Sequence, residues 1–185
     1  MEPKKGFFSI YKKDIWKLFT THFVMMLFGL MIYLPWNQNK EYGRILAVVG
    51  SAIAVLFYAY LIDLHLWETG ARDYINSSSR GTKMNLWTGV LLGLITEIPS
   101  FILGALLNFF VMYHTYEWAV NACYITELIT KTWEAPFMGF QRILFPDFYW
   151  YFLMTPFIPV IFSGVSYLLG AKNIVIIPRP KKDKN

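Results

Sequence analysis

LWTGVLLGLITEIPSFILGALLNFFVMY, residues 86–113, is the stretch whose reading decides the fold. It is apolar almost throughout, and its only charged side chain is Glu97, close to the middle. A run of this length needs either a large protein core or a hydrocarbon solvent. A chain of 185 residues does not build such a core, so the stretch is read as a membrane-crossing helix. Glu97 then becomes the residue to explain.

Composition points the same way. Hydrophobic residues make up 56% of the chain, aromatics 19% and charged residues 16%, against roughly 25% charged in an average soluble domain. The net charge of +5 falls outside the apolar runs, where basic residues act as topology signals and surface contacts rather than as a nucleic-acid footprint. Cys123 is the single cysteine, which removes an intrachain disulfide. With only three histidines, no zinc framework, metal site or cofactor is expected.

Working outward from residues 86–113, the pattern predicts an all-α integral membrane protein with four spans, at about 18–36, 44–66, 86–113 and 148–170. Before the first span, Phe8, Tyr11, Ile15 and Trp16 share a helical face flanked by lysines, as in a short N-terminal amphipathic helix. The brief link at 37–43 returns the second span beside the first. Residues 67–85 read as a polar connection with a flexible serine-rich centre, and Glu68 and Arg72 stand at the favourable spacing of four. Residues 114–145 mix acids with aromatics and are too polar to span. They are read as an extracytoplasmic interfacial or re-entrant helical segment, broken near Pro136 and Gly139. Pro156 and Pro159 predict a kink in the last span, and residues 171–185 form a basic tail.

Counting lysines and arginines orients the bundle. Thirteen fall before the first span, in the second connection and in the tail, against Lys40, Arg44, Lys131 and Arg142 elsewhere. This asymmetry predicts cytoplasmic termini.

At about 100° per residue, Gly89, Gly93, Glu97, Ser100, Gly104 and Asn108 share roughly a third of the third helix. The glycines, with Ala47, Ser51 and Ala54 of the second span, form faces suited to close helix packing. Glu97 therefore points toward protein or water, where a charged carboxylate costs several kcal/mol unless paired or hydrated. Two readings follow. In one, Glu97 is an ion or proton site, with Ser100, Asn108, Tyr58 and Thr155 as its polar surroundings. In the other it is a structural acid hydrogen-bonded to Tyr58 or a serine. A weaker site at the cytoplasmic mouth would combine His22, placed one turn into the first span, with Asp63 and His65. No nucleophile, base and orienter are assembled around Cys123, and the Ser77–Ser79 run lacks phosphate-loop spacing, so no enzyme is expected.

The run PFIPVIFSGVSYLLGAKNIVII, 156–177, and the stretch GARD, 70–73, are similar to small uncharacterised multi-span membrane proteins of Gram-positive anaerobes. The resemblance covers about a quarter of the chain. It implies a plasma-membrane location and carries over no activity and no functional residue. The resulting expectation is a non-enzymatic accessory or assembly subunit, whose partners are the bilayer and either a second copy or another membrane protein. The alternative is a small proton- or cation-coupled transporter or channel using Glu97.

Overall fold

A computed structural model describes residues 6–36, 42–81, 83–144 and 149–176, and all secondary structure among them is helical. The loop at 37–41, the tail beyond 176 and seven of the counted basic residues (Lys4, Lys5, Lys40, Arg179, Lys181, Lys182, Lys184) lie outside the described residues. Three helical stretches, Phe7–Ile32, Ile45–Ser79 and Tyr151–Ala171, are long and apolar enough to cross a membrane. A fourth qualifies if the bent pair Thr88–Thr96 and Ile98–Met112 is one span.

Helix α1 is Phe7–Trp36, so the amphipathic start and the first span form one continuous rod. Helix α2, Gly43–Ser79, runs thirteen residues past the expected end at 66, and the serine-rich stretch expected to be flexible is its last turn. Polar contacts at successive levels make α1 and α2 antiparallel: Tyr11 meets Asp73, Asp14 meets Thr69, and His22 meets Tyr58. Arg72 pairs with Asp14 at 3.2 Å and Asp73 at 3.5 Å, tying α2 back onto α1.

Residues 86–113 do not form one straight helix. Helices α3, Thr88–Thr96, and α4, Ile98–Met112, meet at Glu97 with a bend of 52°. Pro99 supplies the cause, because its ring removes one helical donor and crowds the carbonyl four residues back. Helix α7, Tyr151–Met154, and helix α8, Phe157–Ala171, are separated by a turn at Thr155–Pro156 whose dihedrals stay helical, so together they form one membrane-length stretch. The α3–α4 and α7–α8 pairs run antiparallel: Gly89 and Gly93 lie on Tyr167, Ser163 and Val160 of α8, and Gly104 lies on the Phe152 carbonyl of α7.

Between them comes helix α5, Glu117–Trp133, which doubles back along α4. A short 3-10 turn, Ala135–Phe137, and helix α6, Met138–Leu144, then reverse it. Phe137 lies beside Tyr58, while Gly139 lies against Ala47 and donates its N–H to the Ser51 hydroxyl oxygen at 2.8 Å. The chain therefore descends through α5 to the level of His22, turns at Glu134, and climbs again along α2. This hairpin tip is core rather than surface. Ala135, Phe137 and Met138 are all buried, and the outer face of α5 is exposed at Trp118, Tyr124 and Leu128. Within 114–144 the tip of the hairpin is therefore packed inside the helical bundle.

The small-residue faces are used inside the chain. Gly89, Gly93 and Gly104 receive α7 and α8, and Ala47 and Ser51 receive α6, while Ala54 is buried in the core. Gly29, not singled out from the sequence, seats the hairpin tip: a methyl group there would lie 2.4 Å from the Pro136 nitrogen.

Candidate functional site

The centre of the bundle is polar, and four separate elements build it. His22 comes from the middle of α1, Tyr58 from the middle of α2, Glu97 and Ser100 from the α3–α4 bend, and Trp133 and Glu134 from the hairpin tip. Glu97 accepts from Tyr58 Oη at 3.0 Å on one oxygen and from Ser100 Oγ at 2.6 Å on the other. His22 Nδ1 stands 2.9 Å from Tyr58 Oη and 3.1 Å from Glu97 Oε1. Trp133 donates its indole N–H to Ser100 Oγ at 2.9 Å and stacks on the His22 ring at 4.7 Å between centroids.

When Glu97 is ionised it only accepts, and with Tyr58 spending its proton on Glu97 the Nδ1 position of His22 carries the imidazole proton. His22 Nε2 is then a bare lone pair or, in the imidazolium, a second donor. It has no hydrogen-bond partner. Neither do the two oxygens of Glu134, and these three are the only buried side-chain nitrogen or oxygen atoms without one among the described residues. One ligand atom each from His22, Glu97 and Glu134 lies within 4.8 Å of the others. His22, Glu97 and Glu134 are each 1% exposed, and Ser100 is fully covered.

Backbone geometry holds the acids in place. Glu97 caps both α3 and α4, with its N–H bonded to the Gly93 carbonyl at 3.0 Å and its own carbonyl accepting from Phe101 at 3.0 Å. Glu134 caps α5 in the same way, bonding Thr130 at 2.8 Å and accepting from Phe137 at 2.9 Å. Both carboxylates thus project from helix breaks next to a proline, Pro99 and Pro136, where the backbone turns and the side chain is directed inward.

The other expected site residues divide clearly. Tyr58 and Ser100 meet Glu97. Asn108 does not; it donates to the carbonyls of Gly104 and Tyr149, two turns beyond Ser100. Thr155 bonds the Tyr151 carbonyl of its own helix. His22 does not join Asp63 and His65, because α1 begins at Phe7 and places His22 four turns inside the helix rather than one. His65 instead lines a 370 Å³ cavity with Lys17, Thr20 and Thr21, at the level just below His22. Glu134 is the residue that reading the sequence missed. Its signal was the pair Glu134–Pro136, the same acid-before-proline spacing as Glu97–Pro99.

No protein-family model, curated protein or solved structure matches this chain.

Proposed function

We propose that this is a small, non-enzymatic, proton- or cation-coupled membrane transporter working through the buried His22–Glu97–Glu134 centre. The observation that carries the reading is the presence of two carboxylates at mid-depth with no lysine or arginine among their partners, one of them with neither oxygen hydrogen-bonded. Groups of this kind are costly in a bilayer and mark ion or proton paths there. The centre is enclosed by protein, which suits an ion or a proton. In this reading α1, α2, α3–α4 and α7–α8 are four plasma-membrane spans with cytoplasmic termini. The α5–α6 hairpin is a re-entrant element entering from the outside, the kind of irregular backbone that membranes tolerate only where protein or a water-filled cavity covers it. The cavity at Lys17, Thr21 and His65 is the cytoplasmic approach. The accessory-subunit expectation rested on free small-residue faces, and those faces are filled within the chain.

The test is flux in proteoliposomes carrying a lumenal pH dye and cation indicators. Glu97→Gln is expected to abolish flux while elution and thermal midpoint in detergent stay those of the parent. Flux that continues unchanged in this variant overturns the reading.

A further inference from the structure

We propose that His22 and Glu134 bind one divalent transition-metal ion, through His22 Nε2 and the Glu134 carboxylate, with Glu97 as the positioning carboxylate that holds His22 in its ligating tautomer. The proposal deepens the cation reading above and takes that centre as its site.

Unmet hydrogen bonding is the first argument. A buried carboxylate oxygen left without a donor costs on the order of 1–3 kcal/mol, more when charged. Other buried polar side chains solve this locally: Thr96, Thr130 and Thr155 each donate to a carbonyl four residues back. Among the described residues only His22 Nε2 and the Glu134 oxygens are left over, and both residues belong to one cluster. Three acceptors without partners in one residue cluster suit a cation, which can satisfy them together.

Orientation is the second. Histidines that ligate metals generally donate their other ring N–H to a carboxylate, which fixes the ring and makes it a better ligand. His22 Nδ1 at 3.1 Å from Glu97 Oε1 is that arrangement, and Tyr58 and Ser100 fix the carboxylate in turn. Trp133 stacks on the ring from one side and limits its rotation.

Charge and donor type select the ion. Glu97 and Glu134 bring two carboxyl groups into a region of low dielectric, and a divalent ion would balance the charge of both once they are ionised. One imidazole nitrogen with carboxylate oxygens suits Zn²⁺, Mn²⁺, Fe²⁺ or Co²⁺. It does not suit Cu⁺, which prefers sulfur, or Ca²⁺ and Mg²⁺, which prefer oxygen alone. Ligand atoms on a tetrahedral zinc ion lie about 3.3 Å apart. One ligand atom each from His22, Glu97 and Glu134 already lies within 4.8 Å of the others, so drawing such atoms to that spacing needs about 1.5 Å of closing movement, within reach of side-chain rotation. Two protein ligands leave coordination positions open, as an ion that must also depart requires.

The experiment uses the full chain purified in detergent and stripped with a chelator. Co²⁺ is titrated in and read by its visible ligand-field absorption, with Zn²⁺ as competitor and elemental analysis for stoichiometry. About one ion per chain is expected, with binding weakened more than roughly 100-fold in His22→Gln and Glu134→Gln and by about 10- to 100-fold in Glu97→Gln. The thermal midpoint of each variant without metal serves as the folding check, and Glu134→Gln is close to isosteric. Variants that are folded and bind like the parent overturn the site, as does a parent that takes up less than about a tenth of an equivalent. A parent that binds no Co²⁺ or Zn²⁺ yet shows Glu97-dependent proton flux overturns the metal site and leaves the proposed function standing. A parent that binds metal through His22 and Glu134 but carries no flux does the reverse.

Discussion

Two polar layers cross this bundle, and they handle charge in opposite ways. At the end that carries the start of α1, Asp14 accepts from Thr69 and pairs with Arg72, while Asp73 accepts from Tyr11 at 2.7 Å and Tyr167 at 3.0 Å and also lies beside Arg72. Every acid there has a cation or hydroxyl partner, and Arg72 remains half exposed to water. In the middle, Glu97 and Glu134 have no arginine or lysine partner among the described residues, and neither side-chain oxygen of Glu134 has a hydrogen-bond partner. The end layer is a clamp joining α1, α2 and α8. The central layer is left electrically incomplete by the same protein. Carboxyl groups without a full set of partners are among the more expensive features to bury, and that cost is what the proposed function accounts for.

The sharpest way to break this comparison is to neutralise one acid in each layer. Glu134→Gln is expected to abolish flux and metal uptake while leaving the thermal midpoint unchanged or higher, because no hydrogen bond to the carboxyl oxygens is lost and the substitution is close to isosteric. Asp14→Asn is expected to leave flux and metal uptake at the parent level. If the two variants lose function equally, the layers are not distinct in kind.

A second, smaller effect tests how the central layer is assembled. Gly29→Ala places a methyl group 2.4 Å from the Pro136 nitrogen and 2.6 Å from the Ala135 carbonyl carbon. Those are backbone atoms, which do not yield as a side chain does, so the hairpin tip must shift away from α1. Overpacking of this kind costs about 1–3 kcal/mol. Gly6→Ala meets nothing within 4 Å and serves as the control. Thermal unfolding in detergent separates them, and equal midpoints would mean that the tip is not seated on Gly29.

The sequence made much of this arrangement readable. The apolar run at 86–113, its buried stripe and the partnership of Glu97 with Tyr58 and Ser100 all follow from helical periodicity and from the expense of a lone acid. The end of α2 and the position of His22 did not, for one reason. Spans were trimmed to the apolar core, whereas α1 and α2 extend well beyond it, stabilised by the Asp14–Arg72 layer. That trimming put His22 near a mouth instead of at the centre. Glu134 was hidden differently. In a segment rich in Glu117, Glu127 and Lys131 it looks like one more solvated charge, and only the inward turn at Ala135–Phe137 separates it from them. Local polarity does not reveal which of several acids the tertiary fold will bury. Asn108 and Thr155 failed as site residues because each satisfies itself on a nearby carbonyl, which periodicity does not distinguish from reaching across to a partner.

The smallest effect concerns the clamp itself. Arg72 is half exposed, so its attraction for Asp14 is reduced by water even though Asp14 is largely covered. Exposed pairs are worth about 0–1 kcal/mol, and Thr69 still donates to Asp14 when the guanidinium is gone. Arg72→Ala is therefore expected to lower stability by less than about 1 kcal/mol, with the difference from the parent shrinking as salt approaches about 1 M, where charges are screened within roughly 3 Å. Its flux should match the parent. A loss above about 2 kcal/mol that persists in high salt would place Arg72 among groups whose removal strands a buried charge. The end layer would then resemble the central one in energetics, and completeness of pairing would no longer mark which layer is structural.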